Sequence, residues 1–185
     1  NSASCARTGA GAVMCWGTGS MVGGVDTDTP TTIPTLASGV IAIAGHASFA
    51  CAIKADHSLV CWGANDYGQL GINTTAGHQT PQAVTTGVAQ IAAGGAHACA
   101  IKDDGTVWCW GRNDEGQLGT GDQRAAHLPT QITLDGPALA IVAGDAQTCV
   151  LTGSGMSCWG SDIFGELGDG IVDWLIPRGV NLPCD

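Results

Sequence analysis

Short runs of apolar residues, broken by glycine-bearing turns, recur along this chain. One copy shows the pattern most clearly. Cys99, Ala100 and Ile101 precede Asp103-Asp104-Gly105, and Val107, Trp108 and Cys109 follow it. Such runs on either side of a turn triplet ending in glycine predict a β-hairpin with a three-residue loop, Gly105 taking the left-handed conformation. Pairing Lys102 with Thr106 sets Ile101 opposite Val107, Ala100 opposite Trp108 and Cys99 opposite Cys109. Opposed Cβ atoms on antiparallel neighbours lie about 4.5–5.5 Å apart, within reach of a disulfide after small adjustment. The same phrase starts at Cys5, Cys51 and Cys149, and each copy closes on Cys-Trp-Gly at Cys15, Cys61 and Cys158. A period of about fifty residues marks a repeat architecture such as a solenoid, propeller or array.

The spacing in the last copy tests the pairing. Cys149 and Cys158 are one residue closer than the other pairs, and a one-residue slip would turn every side chain to the wrong face. The loop there reads Thr152-Gly153-Ser154-Gly155. It suits a two-residue type II′ turn with Gly153 at the first central position, which restores Cys149 opposite Cys158. Shortening and turn chemistry compensate, which favours disulfides over the alternative of free buried thiols. Gly11 and His57 stand at the left-handed position of the first two hairpins.

Both faces of each hairpin are apolar: cysteines with Ile53 and Leu59, or Ile101 and Val107, on one, and Ala52, Val60 and Trp62, or Ala100, Trp108 and Trp110, on the other. A sheet stacked between two similar sheets satisfies this, as in a β-propeller. Small-residue runs at residues 40–45, 88–94 and 139–144 precede the later hairpins and suit strands crowded round an axis. The expected architecture is all-β, with four-stranded antiparallel blades, about four of them, in one repeat domain over residues 1–185. The blade units fall near 1–38, 39–86, 87–137 and 138–185. Four hairpins stand against three inner runs, so the first blade is expected to lack its inner strand. The result is an open arc or part of a larger propeller.

The turns after the hairpins carry a second signature. Trp62-Gly-Ala-Asn65-Asp-Tyr-Gly68-Gln69-Leu70-Gly71 and Trp110-Gly-Arg-Asn113-Asp-Glu-Gly116-Gln117-Leu118-Gly119 share it, and Trp159-Gly-Ser-Asp162-Ile-Phe-Gly165-Glu166-Leu167-Gly168 follows closely. With the Ala-Ala-Gly-x-x-His segment ending at His97, these motifs resemble the regulator of chromosome condensation repeat family. The resemblance implies a propeller that has seven blades in familiar members. The first copy departs from it, with Thr18-Gly-Ser-Met-Val-Gly23-Gly24 in place of Gly-Gln-Leu-Gly, and Phe49 and Gln147 stand where the family has histidine. The cysteine pairs are not general to the family and resemble those of secreted bacterial members.

Composition narrows the function. Nine cysteines in 185 residues, none in a Cys-x-x-Cys pattern, point to an oxidising compartment, extracellular or at the cell surface. Cys184 is the odd one, expected to be unpaired or to bond another molecule. A formal net charge of −10 repels nucleic acid and anionic lipid. No run approaches the roughly 20 apolar residues of a membrane-spanning helix. The chain does not open on a basic-then-apolar start, so any signal peptide is expected to be already removed.

No nucleophile elbow, phosphate loop or metal-ligand spacing is present, so no enzymatic activity, catalytic residue, cofactor or metal is expected. Asp26-Thr-Asp28 lacks the further oxygens that calcium needs and reads as a solvated turn. Asn73-Thr-Thr75 is a glycosylation sequon only in a eukaryotic secretory route. Trp16, Trp62, Trp110 and Trp159 are expected in the core, Trp108 between blades, and His97 bracing the backbone. Repeat-equivalent loop positions that differ between copies are the candidate contact rim: Asp66 and Tyr67, Asp114 and Glu115, Ile163 and Phe164. The leading expectation is a non-enzymatic extracellular binding or scaffold propeller with a protein or glycan partner. The alternatives are a self-assembling subunit that completes its propeller with another copy, and a secreted inhibitor of a hydrolase. The family's founding role, nucleotide exchange on a small nuclear GTPase, fits least with paired cysteines.

Overall fold

The computed structural model describes residues 2–19, 21, 26–46, 48–162 and 174–180. Ile163, Phe164 and Cys184 lie outside these. Sheet 1 consists of β1 (Ser2–Arg7), β2 (Val13–Thr18) and β3 (Thr27–Thr32). Sheet 2 consists of β4 (Val40–His46), β5 (Phe49–Lys54), β6 (Leu59–Gly63) and β7 (His78–Thr85). Sheet 3 consists of β8 (Val88–Ala93), β9 (His97–Lys102), β10 (Val107–Gly111) and β11 (Ala126–Ile132). Sheet 4 consists of β12 (Ala138–Ala143), β13 (Gln147–Thr152), β14 (Gly155–Gly160) and β15 (Trp174–Gly179). Every sheet is an antiparallel meander, and among the described residues sheet 1 has three strands where the others have four. Among the described residues, the strand position left empty in sheet 1 is the inner one.

The hairpins have the expected register. Cys5 faces Cys15, Cys51 faces Cys61, Cys99 faces Cys109 and Cys149 faces Cys158. All four pairs are disulfides, with Cα atoms 4.0–4.1 Å apart. Gly11, His57 and Gly105 hold φ of 79°, 61° and 82°. Each of these residues also joins its hairpin to the next sheet. The carbonyls of Gly11, His57 and Gly105 accept the N–H of Val40, Val88 and Ala138 at 2.9–3.0 Å.

The fourth loop differs from expectation in one respect. It has two residues, and Thr152 pairs with Gly155, but Gly155 carries the positive φ, at 134°, and Gly153 does not. The turn is therefore not type II′. The Thr152 hydroxyl accepts the Ser154 N–H at 3.3 Å and lies 2.8 Å from the Ser154 hydroxyl. This local side-chain bond organises the loop in place of a left-handed Gly153.

The sheets stack with one polarity. Cys51, Ile53 and Leu59 of sheet 2 pack on Ala98, Ala100 and Trp110 of sheet 3. Cys99, Ile101 and Val107 of sheet 3 pack likewise on Val150 and Trp159 of sheet 4. Val13 and Cys15 of sheet 1 meet Ala52, Val60 and Trp62 of sheet 2. Trp62, Trp110 and Trp159 are fully buried. Their indole N–H groups donate to the carbonyls of Met21, Gln69 and Gln117 in the preceding repeat, each at 2.9 Å. This explains the Gln-Leu-Gly turn physically. The glutamine carbonyl receives the indole, and a Cβ on Gly119 would stand 2.7 Å from the Trp159 Nε1 atom. Met21 takes the glutamine's place in the first repeat.

Trp16 corrects the expectation of four equivalent core tryptophans, because it is only half-buried and no described sheet precedes sheet 1. Trp108 is part-buried beside Lys102, where it lines a surface hollow with Thr86, Gly87 and Asp103.

His97 braces the next sheet rather than its own backbone. The Thr148 hydroxyl donates to the Gln117 carbonyl at 2.9 Å, so the Nε2 atom of His97, 2.9 Å from that hydroxyl, must be the donor to it. The Nδ1 atom is buried without a partner. Burial, and secondarily His46, pull the imidazole from 6.5 down to about 4. The unfolded chain therefore binds a proton that the folded chain refuses. Stability from this group is complete above about 6.5 and falls as the pH drops towards 4, by about 3 kcal/mol. Urea midpoints of the protein and a His97→Gln variant, compared from pH 7 to pH 4, check this. Parallel curves would remove His97 as the source.

Candidate functional site

The turns after β6 and β10 are built from buried amides. Asn65 and Asn113 are 1% and 0% exposed. Their Oδ1 atoms accept the N–H of Leu70 and Leu118 at 2.8 and 2.9 Å. The Nδ2 atom of Asn65 donates to the carbonyls of Thr74 and Ala76, and that of Asn113 to the carbonyls of Asp122 and Arg124. Gln69 and Gln117 accept the N–H of Tyr67 and Glu115 through Oε1, both at 3.0 Å. A buried, hydrogen-bonded amide is costly to release, so these side chains hold a rigid loop without strand pairing.

On that frame sit the variable residues. Asp66 and Asp114 are exposed, Glu115 is half-buried, and Tyr67 is 42% exposed. The structure brings Tyr67 together with a residue that the sequence reading did not select. The Arg112 guanidinium carbon lies 5.3 Å from the centroid of the Tyr67 ring, across the boundary between sheets 2 and 3. Its Nε donates to Asp114 Oδ2 at 2.9 Å. The bond to Asp114 holds Arg112 above its ordinary pKa. The signal for Arg112 was present: a basic residue in a chain with only six, at the variable position of Trp-Gly-x-Asn. Asp66 is not part of this contact, and Ile163 and Phe164 fall outside the described residues.

A second polar cluster lies at the hairpin tips. Lys102 Nζ donates to the Thr85 hydroxyl at 2.6 Å and to the Thr86 carbonyl, and lies 5.9 Å from the Trp108 centroid. His57 Nδ1 meets Asp103 Oδ1 at 2.6 Å. These groups answer one another and leave no convergent donor set for a ligand. Among the described residues no three His, Cys, Asp or Glu side chains are grouped to hold a metal, and no helix is long and apolar enough to cross a membrane. Four disulfides fit an oxidising compartment.

Residues 40–69 and 88–117, and with a second form of the repeat residues 56–101 and 104–151, match the regulator of chromosome condensation (RCC1) repeat. Solved structures share the architecture. Human WBSCR16 is 26% identical over 98% of this chain and 51% of its own, with a TM-score of 0.84. Prp20p from Saccharomyces cerevisiae, in a structure described with its binding properties to Gsp1p and histones, is 23% identical over 98% of this chain and 49% of its own, with a TM-score of 0.82. The ectodomain of the Arabidopsis thaliana receptor kinase ACR4 is 24% identical over 85% of this chain and 46% of its own, with a TM-score of 0.51. This chain thus spans about half the length of the solved structures it matches. No curated protein matches it significantly.

Proposed function

Because this chain belongs to the regulator of chromosome condensation repeat family, we propose that it is a non-enzymatic extracellular binding scaffold, whose contact rim is headed by Tyr67 and Arg112. One observation carries the reading. A half-exposed tyrosine and a guanidinium stack across two sheets on loops locked by buried amides. Aromatic and arginine side chains supply most anchors of protein interfaces, and a preordered anchor loses little entropy on binding. Asp66, Asp114 and Glu115 surround the pair and favour a partner surface with basic groups. The disulfide in each sheet supports work outside the cell, where such bonds persist. The binding of Gsp1p and histones by Prp20p is compatible with a protein partner rather than a small molecule.

The experiment is capture from the native extracellular surroundings by immobilised protein, with a Tyr67→Ala/Arg112→Ala double variant beside it. Both side chains lie on the surface, so the thermal midpoint is expected to hold within a few degrees. The captured partner should bind the variant at least about 10-fold more weakly. Equal capture by both proteins would move the contact elsewhere. A glycan retained in place of a protein would change the partner class and leave the rim in place.

A further inference from the structure

Repetition separates what the hairpin needs from what one copy adds. Lys102, Asp104 and Thr106 have counterparts in Lys54, Asp56 and Ser58. Asp56 and Asp104 cap their turns alike, each accepting the N–H and the hydroxyl of the residue two places on. Two residues of the third copy have no such counterpart. Ala55 stands where it has Asp103, and Met14, Val60 and Ser157 stand where it has Trp108. Both of these added residues line one hollow of about 360 Å³, with Thr86 and Gly87, within the usual size of a ligand site. It lies between the sheet 3 hairpin tip and the β7–β8 connection, at the opposite end of β10 from Arg112. Its donors are engaged. The Trp108 indole N–H donates to the Thr106 hydroxyl at 2.9 Å, and that hydroxyl donates to Asp104 Oδ1 at 2.7 Å, which fixes the ring. Lys102 Nζ serves Thr85 and Thr86. Its acceptors are not all engaged. Asp103 Oδ1 meets His57 and Asp104 Oδ1 serves Thr106, but the Oδ2 atom of each has no hydrogen-bond partner among the described residues. Gly87 keeps the space before Asp103 open, since a Cβ there would meet only Asp103 Oδ2, at 3.6 Å.

We propose that this hollow binds a neutral sugar, one pyranose ring laying its C–H face on the Trp108 ring and donating hydroxyls to Asp103 and Asp104. A ligand here must bring its own donors, because the hollow offers carboxylate acceptors and no free N–H or O–H. It must also bring an apolar face for the indole ring. A pyranose has both: a face of C–H groups and an edge of hydroxyls. The rival class for a ring beside carboxylates is a cationic side chain. Lys102 disfavours it, because its Nζ lies 5.9 Å from the ring centroid and already occupies that attraction. A second cation would meet like charge there, and a neutral hydroxylated ring does not. The site is separate from the Tyr67–Arg112 rim and stands without it.

The test is a printed array of neutral oligosaccharides probed with the oxidised protein, followed by titration of the best-retained sugar. A Kd of about 1 mM or tighter is expected. Trp108→Val and Asp103→Ala give the third repeat the residues that the second carries at the same positions, so both variants should keep the fold, and their urea midpoints check this. Each should weaken the sugar at least about 10-fold. The Tyr67→Ala/Arg112→Ala variant should bind it as the wild type does, which separates this site from the rim. Bound sugar should also shift the indole N–H resonance of Trp108 and leave that of Trp110, sealed in the core, where it was. Retention of no sugar tighter than about 10 mM overturns the proposal. So does a sugar that folded Trp108→Val binds as well as the wild type. A lysine-rich peptide that moves the Trp108 resonance where no sugar does overturns the ligand class.

Discussion

Reducing all four disulfides is expected to unfold most of this chain at neutral pH and room temperature. Each bridge joins opposed cysteines nine or ten residues apart. Closing a loop of that size removes chain entropy from the unfolded state worth about 2.5–3 kcal/mol. Four such terms come to about 10–12 kcal/mol, against a typical total stability of about 5–15 kcal/mol. The remaining contacts are then left near balance. Removing one bridge alone, by Cys51→Ala with Cys61→Ala, should cost about 2.5–3 kcal/mol and leave the fold intact. Urea unfolding with and without reductant measures both. A reduced protein within about 2 kcal/mol of the oxidised one would show that packing alone suffices and that the bridges serve another purpose.

Trp110→Ala should be the most damaging single substitution in the stack, at about 3–5 kcal/mol. The ring is fully buried between sheets 2 and 3, and its loss opens a cavity against Cys51, Ile53 and Leu59. It also strips the Gln69 carbonyl of its indole donor. Trp110→Phe separates the two effects, because it retains most of the packing and removes only the bond, for about 1–3 kcal/mol. Trp16→Ala makes the comparison informative. The side chain and repeat position are the same, yet Trp16 is only part-buried and makes no such bond among the described residues, so about 1–2 kcal/mol is expected. Equal losses at the two positions, read from urea midpoints, would contradict the idea that the preceding sheet completes each tryptophan site.

The hairpins were legible because their information is local. Loop length and a left-handed residue set the register, and register puts cysteine opposite cysteine. The inner strands were legible for a similar reason, as small-residue runs at fixed phase. The outer strands β3, β7, β11 and β15 were not. They lack a regular apolar alternation, and each carries proline at its fourth residue: Pro30, Pro81, Pro129 and Pro177. Proline lacks a ladder donor and reads as a strand breaker, yet on an edge strand it is tolerated and discourages further pairing. Its recurrence in phase was the available signal. The Gly153 turn misled because a hydroxyl bond from Thr152 competed with backbone preference.

The candidate rim was half legible. Variation at fixed positions singled out Tyr67 and Asp114, but Arg112 joins them only because the sheet 3 turn leans over the sheet 2 turn. His97 shows the same division. Its place in the repeat was plain, but its bond runs to Thr148, about fifty residues away in a different sheet.

By itself, then, the order of residues decided the hairpins, their cysteine pairing and the repeat, since each rests on turn chemistry and alternation within a few residues. Only the stacked structure decided which tryptophans are sealed, which carbonyls receive them and which side chains cross from sheet to sheet. Those outcomes depend on contacts between segments far apart along the chain, where burial is a property of the neighbour as much as of the residue.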